Sequence, residues 1–536
     1  MYRALDRRDL IRTFGLGAVL AASGRLPASP LGATGFTHNV ASGEPGQHSM
    51  LLWTRFVPAA GDADDVHLTT EIATDAGFSR VVASGQARTG AHRDWTAKIT
   101  LDGLAPGTDY WYRFIAPDGR RSATGRTKTL PAGDVERFGL GLFSCSHLSF
   151  GWFNAYRHAA NRRDLDLWLH VGDYIYEDGD FPLVPGRSVD PVHEAIALAD
   201  YRRRFACYRS DPDLQALHQR APMVALWDDH ETADDSWEGG ARNHQPTDEG
   251  AWDVRKAASI QAYREWMPVS DEPWKAYHVG ALATLYRTES RLLARTRQLT
   301  GATLPKSGNL ATYAAFRDGP WRDPSATMLG WTQEAWLSEA LRTNAETSCW
   351  QLLGMATNMG VVRMPLDALD WLSPDADAET VAARRASVLR SKAGLPSSFD
   401  NWGGYPAARS RLLAAAQAAD VDLAVLTGDS HNAWAFSLSE DGCPAGVEFG
   451  GHSVTSPGAE RSFPIDPAKV ARGFVAASPE LNWSDTSRRG YVMVEVTPET
   501  LTGEWLFMRS THIRSTELAG SHRMTVQRGR RGFQHP

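Results

Sequence analysis

Leu165-Asp-Leu-Trp-Leu-His-Val171 runs directly into Gly172-Asp173-Tyr174-Ile175-Tyr176-Glu177. A short apolar run bounded by glycine and acids reads as a strand buried on both faces. The same grammar recurs along the chain. Phe138–Phe143 ends in Ser144-Cys145-Ser146-His147, and Met223–Trp227 ends in Asp228-Asp229-His230-Glu231. Trp350–Leu353 ends in Gly354-Met-Ala-Thr-Asn358, and Leu423–Leu426 in Thr427-Gly428-Asp429-Ser430-His431-Asn432. Segments of helical period separate these runs, among them Phe153–Asn161, Asp200–Cys207, Val254–Trp266, Thr332–Arg342 and Pro406–Ala419. Strands alternating with helices, with polar residues at the carboxyl ends of the strands, predict an α/β enzyme with one site along a sheet edge.

Upstream of this region, residues 36–130 read as all-β. The runs Ser49–Phe56, Val66–Ala73, Val81–Ala83, Trp95–Leu101 and Tyr110–Ile115 are separated by Gly, Pro and Asp turns and predict a small sandwich. The stretch from Leu101 to Phe114, Leu-Asp-Gly-Leu-Ala-Pro-Gly-Thr-Asp-Tyr-Trp-Tyr-Arg-Phe, is similar to the late strand pair of fibronectin type III modules. Pro131-Ala-Gly-Asp134 makes a hinge, and residues 521–536, with Arg523 to Arg531, read as a basic tail.

Composition narrows the class. The 536 residues are 42% hydrophobic and 22% charged, with 47 Gly and 29 Pro, which describes a loop-rich globular protein rather than a disordered or collagen-like one. Acids outnumber Lys and Arg by 63 to 56, a net charge of −7, so no basic surplus exists to neutralise a nucleic-acid backbone. Four cysteines without zinc-knot or Cys-x-x-Cys spacing supply no disulfide framework; Cys207, Cys349 and Cys443 read as inert.

The amino-terminal residues read as a signal. Asp6-Arg7-Arg8-Asp9-Leu10-Ile11-Arg12 matches the twin-arginine pattern. An apolar stretch from Phe14 to Ala22, too short to span a bilayer, gives way to small residues and prolines before Ala33. An amphipathic first helix is the competing reading. A signal at residues 1–33 predicts a partnership with the twin-arginine export machinery and a periplasmic or extracellular destination. That route carries folded proteins, so it points to a metal or cofactor loaded before export. No later apolar run is long enough for a membrane span.

Gly172-Asp173, Asp228-Asp229-His230-Glu231 and Gly428-Asp429-Ser430-His431 together resemble the metallophosphatase signature. The Ser-Cys of the first motif, Gly-Asp-Tyr-x-Tyr-Glu, Asp-Asp-His-Glu and Gly-Asp-Ser-His are similar to one branch of it, the PhoD-like alkaline phosphatases. Ala262-Tyr263-x-Glu265-Trp-Met-Pro268, the Met328 to Leu337 stretch, Trp402-Gly-Gly-Tyr405 and Val447 to Pro457 extend the likeness, and Val40-Ala-Ser-Gly-Glu-Pro45 resembles the start of that family's amino-terminal domain.

The resemblance implies a four-layer α-β-β-α catalytic sandwich at residues 137–520 behind the fibronectin-like or immunoglobulin-like module. It implies metal ligands at Cys145, Asp173 as the bridge, Tyr176, Asp229, Asp429 and His431. Thiolate plus phenolate favours ferric iron, and the extra charge of Asp229 favours calcium as a second ion. His230 would act on the leaving oxygen, held by Glu231 or Asp228, with Asp228 counted in the catalytic set. Asn432 would contact substrate, as would Arg291 unless it serves a structural ion pair. His147 lies two residues after Cys145, at the spacing of the Asp-x-His motif, and Asp234 and Asp235 either bind the second ion or solvate a loop. Asn358 stands where relatives carry Gly-Gln-Gln, which bears on substrate preference. The implied activity is hydrolysis of phosphoric esters by hydroxide activated on the metals, in a monomer. Two alternatives are a phospholipase D-like phosphodiesterase and a non-catalytic surface protein. The second predicts loss of Asp173, Tyr176, Asp229 or His431, and all are present.

Overall fold

The computed structural model describes residues 33–59, 65–300, 303–305 and 308–533. The export signal therefore lies outside the described residues, apart from its last position. Seven strands come first: β1 (Gly35–Gly43), β2 (Ser49–Val57), β3 (Val66–Ala73), β4 (Val81–Thr89), β5 (Thr96–Asp102), β6 (Asp109–Ile115) and β7 (Gly125–Lys128). The catalytic region follows with β8 (Phe138–Phe143), β9 (Leu167–His170), β10 (Met223–Ala225), β11 (Lys275–Val279), β12 (Ala283–Arg287), β13 (Trp350–Gly354) and β14 (Leu423–Thr427). It ends with β15 (Ala433–Glu440), β16 (Cys443–Gly450), β17 (Leu481–Asp485), β18 (Gly490–Val496), β19 (Thr500–Met508) and β20 (Leu518–Gln527).

Two large sheets stack face to face. One has nine strands in the order β20-β19-β18-β8-β9-β10-β1-β2-β5, the other seven in the order β11-β12-β13-β14-β16-β15-β17. In the heart of each, β8-β9-β10 and β12-β13-β14 run parallel. Parallel neighbours need crossovers, and helices such as Asn154–Ala160, Pro212–Arg220, Trp331–Asn344 and Pro406–Ala418 supply them. The side-chain period of two divides each strand between two cores. Leu140, Leu142, Leu167 and Leu169 meet Leu285, Leu352, Ala424 and Leu426 between the sheets. Phe143 and Trp168 turn outward onto the helices with Phe205 and Trp266, and Leu353 and Val425 pack outward with Leu337 and Leu413. These cores separate the four α-β-β-α layers that the family resemblance implied.

The amino-terminal strands form a sandwich around Val40, Met50, Leu68, Ile72, Tyr112 and Phe114. One face is the sheet β4-β3-β6-β7, and the other, β1-β2-β5, is continuous with the nine-stranded sheet. The join is the parallel pairing of Gly43 with Met223. Gly43 suits it because a Cβ there would lie 2.0 Å from the Pro268 carbonyl oxygen. The next residue, Glu44, is buried and ion-paired to Arg287 and Lys275, and its carboxylate accepts from the Ser270 amide at 2.8 Å.

The carboxyl-terminal reading needs correction. Residues 521–527 are not a tail: they belong to β20, which pairs with β19 from Thr500–Gln527 to Phe507–Gly520 and forms an edge of the nine-stranded sheet. The alternation His522, Met524, Val526 turns inward while Arg523 stays exposed and pairs with Glu504, so the positive charges mark the solvent face of an edge strand.

Glu44 anchors the sandwich to both sheets. Burial alone would raise its carboxyl, but Arg287, the Ser270 hydrogen bonds and Lys275 hold it below the usual carboxylate range. A depressed folded pKa stabilises above the unfolded value of about 4.3, and that contribution fades as the pH falls through the lower folded value. Glu44→Gln should cost about 3 kcal/mol in urea unfolding at pH 7, and the gap to the parent chain should narrow on acidification below about pH 4. A loss at pH 7 under about 1 kcal/mol, the level of an exposed pair, would remove this anchoring role.

Candidate active site

The parallel strands deliver their carboxyl ends to one edge, and the loops leaving β8, β9, β10, β12 and β14 meet there. Cys145, Asp173, Asp429 and His431 all adopt left-handed backbone with φ between 55° and 63°. Each such non-glycine residue costs on the order of 1–3 kcal/mol, so the surrounding contacts must impose it. The Cys145 amide donates to Gly172 O at 3.2 Å and the Ser146 amide to Asp173 O at 2.9 Å. Gly172, at φ +103°, lies so close to Asp228 that a Cβ would meet its backbone nitrogen at 2.5 Å. Glu231 locks the β9 and β10 loops together, its carboxylate accepting the amides of Asp173 at 3.1 Å, Tyr174 at 2.6 Å and Asp228 at 2.8 Å.

Five groups of ligand atoms overlap here among the described residues, two of them outward at Glu177, Asp178 and His230 and at Asp229, Asp234 and Asp235. The other three meet in the cleft. Cys145, Asp173 and His431 present donors within 4.8 Å of one another, as do Asp173, Asp229 and His230, and Asp228, Asp229 and Asp429. Asp173 belongs to the first two groups. Tyr176 completes the first: its hydroxyl donates to Asp173 Oδ2 at 2.9 Å, lies 3.2 Å from His431 Nε2 and accepts from Ser456 Oγ at 2.8 Å. His431 Nδ1 donates to Pro457 O at 2.9 Å and burial pushes its pKa down to about 3, so Nε2 keeps its lone pair toward the cleft.

Burial pushes the carboxyls of Asp173 and Asp429 well above the usual range, and neighbouring Asp228 and Asp229 add to it. Burial and Asp173 likewise raise the Cys145 thiol and the Tyr176 phenol. Asp173 Oδ1 and Asp228 Oδ2 are buried without a hydrogen-bond partner. Orphaned anionic oxygens beside a thiol, a phenol and a neutral imidazole fit cations of oxygen and mixed-donor preference.

His230 sits at the rim, its side chain 15% exposed. Its partner differs from the sequence expectation: neither Glu231 nor Asp228 holds it, and Nδ1 meets Glu177 Oε2 at 2.7 Å. Glu231 is committed to backbone amides, and Asp228 to the guanidinium of Arg291. Burial would lower the His230 pKa, but Glu177, Asp173 and Asp229 raise it well above the ordinary value, favouring imidazolium. The Tyr176 ring packs between His230, at 4.3 Å, and His147, at 4.5 Å. His147 itself stacks on Phe150 at 3.7 Å, so it contributes a packed ring to the site wall.

Three further expectations change. Arg291 has no exposed side-chain surface and is enclosed by Asp228 and Asp400, the structural ion pair that was its alternative reading. Asn432 is buried; its carboxamide donates to Ser430 O and accepts from the Ala459 amide, bracing the loop after β14 rather than facing substrate. Asn358 is buried and bonds Thr427 and Glu448 beneath that loop. Asp235 anchors Asp229 through its amide at 2.6 Å, and Arg242 pairs with Asp234 and Asp235. Glu177 and Asp400 received no role from the sequence. Glu177 stood inside a quoted motif, whereas Asp400 lies outside every one.

Residues 140–505 match the model of the PhoD-like phosphatase family, and residues 21–131 match its PhoD-like phosphatase N-terminal domain. The chain is 30% identical to alkaline phosphatase D of Bacillus subtilis (strain 168), over 94% of this chain and 84% of that protein. It is also similar to the solved structure of PhoD, with a TM-score of 0.76 and 27% identity over 96% of this chain and 93% of the other. The match spans the sandwich, both sheets and every loop that reaches the cleft, and on it this chain belongs to the PhoD-like phosphatases, enzymes that hydrolyse phosphoric esters.

Proposed function

We propose that the chain is an exported, cation-dependent hydrolase of phosphoric monoesters, with diesters as a further class, and that one cleft does the chemistry. The membership of Asp173 in two adjoining donor groups carries this reading, because one carboxylate shared by two sites is what a paired-cation centre requires. Cys145, Asp173, Tyr176 and His431 would hold ferric iron, and Asp229 and Asp429, with Asp173, would hold calcium. When bound, such ions acidify water and draw charge from phosphoryl oxygens.

The chain's own residues do the rest. His230, kept charged by Glu177, delivers a proton from Nε2 to the leaving oxygen, so the departing alcohol need not leave as an alkoxide. His431 is held neutral by burial and oriented by its bond to Pro457, and the two flanking rings fix Tyr176. Glu231 keeps Asp173 and Asp228 in register. Arg7-Arg8 directs the export, in keeping with a centre assembled before crossing the membrane. Among the described residues no helix is long and apolar enough to cross one.

His230→Ala should lower kcat on p-nitrophenyl phosphate by about 10²- to 10⁴-fold with metal content retained, and Glu177→Gln should lower it in the same direction. Asp229→Ala should lose turnover and metal together. Wild-type turnover in His230→Ala would remove its assigned role. The purified enzyme should show a visible charge-transfer band that Tyr176→Phe bleaches or shifts; a colourless, metal-replete and fully active enzyme would exclude ferric iron. Replacing Arg7 and Arg8 together by Lys should leave active enzyme inside the cell. Normal export of that variant would overturn the twin-arginine reading.

A further inference from the structure

Arg291 enters the cleft floor from the loop after β12 and contacts carboxylates on several sides. Nε donates to Asp228 Oδ1 and Nη1 to Asp400 Oδ2 at 2.7 Å. Nη2 lies 3.8 Å from Asp229 Oδ1 and 3.9 Å from Asp429 Oδ1, fully buried and without a hydrogen-bond partner. Asp228, Asp229 and Asp429 are also the residues whose oxygens converge within 4.8 Å of one another. One planar guanidinium therefore occupies the inner side of the trio whose other side faces the cleft. Arg295, equally buried, holds Asp400 from behind at 2.6 Å and keeps the fork in place.

We propose that Arg291 is a built-in counter-cation that holds the Asp228, Asp229 and Asp429 trio together when no ion is bound and, through the same charge, limits how tightly the trio takes one. The inference rests on the reading above that two members of this trio, Asp229 and Asp429, help to hold a divalent cation. Without an ion, the carboxylates repel across a buried space, and the guanidinium offsets that repulsion. With an ion bound, the same guanidinium faces a second positive charge across the trio. A group that stabilises the empty form more than the filled form lowers affinity by that difference. Arg291 is thus a positioning residue, acting on the cation through the carboxylates it braces. Its fork reaches Asp228 and Asp400 at once, which a lysine could not do, although lysine would preserve the charge.

The test is a calcium chloride titration of the full chain, stripped of exchangeable divalent ions with EGTA, followed by calorimetry and by melting temperature. Arg291→Met should melt lower than the parent chain in EGTA but recover most of the difference in saturating calcium, and its calcium Kd should fall about tenfold or more. Arg291→Lys should keep a Kd close to that of the parent. Asp400→Asn, which releases Arg291 from its outer partner, should raise the Kd, and this second arm stands even where Arg291→Met gives no folded protein. Equal melting losses with and without calcium, a weaker or unchanged Kd in Arg291→Met, or an unchanged Kd in Asp400→Asn would each overturn the counter-cation role. A parent chain that binds no calcium would instead overturn the metal reading on which it rests.

Discussion

Carboxylates crowded into one buried cleft impose the constraint on which the rest of the structure depends. Asp173, Asp228, Asp229 and Asp429 stand close enough for each to raise the cost of ionising another, and burial removes the water that would screen them. Such a cluster does not form unaided. Amides gathered by Glu231, the guanidinium of Arg291 and left-handed turns at Cys145, Asp173, Asp429 and His431 hold it open. The double-sheet core supplies the rigidity. Its strands are covered on both faces, so the loops at their carboxyl ends are anchored by side chains that cannot move without opening a packed interior.

Partners of the reactive groups are divided between cleft and floor. On the cleft side, Glu177 keeps His230 charged while burial keeps His431 neutral, so two imidazoles beside the same acids hold opposite protonation states. On the floor, Arg291, Arg295 and Asp400 form an ion network closed to solvent on the arginine side. The amino-terminal sandwich joins this arrangement through Gly43 and Glu44: the nine-stranded sheet runs through both regions, and Arg287, at the end of β12, is the partner of Glu44.

Several features were legible in the residue order because they depend on local pattern. Apolar runs ending in Gly-Asp or Asp-Asp-His located the strand ends at Asp173, Asp229 and Asp429, and helical period located the crossovers. The gap appeared where a role depends on which neighbour arrives from a distant segment. Glu231 follows His230 directly and invites pairing with it, yet its carboxylate faces backbone amides across the strand gap. The basic run after Arg523 suggested a tail because charge is more conspicuous than the inward alternation of His522, Met524 and Val526.

The sequence by itself determined the alternation of strands and helices, the preceding sandwich and the polar clusters at the strand ends, since period, turn residues and strand-end clusters are local properties, while the four layers and the ligand set were what the family resemblance implied. Only the tertiary structure decided that Glu177 rather than Asp228 holds His230, that Arg291 braces acids rather than substrate, and that Asn432 braces a loop. Each of those assignments is a contact between residues far apart in the chain, and the geometry that chooses among several nearby carboxylates exists only once the two sheets have packed.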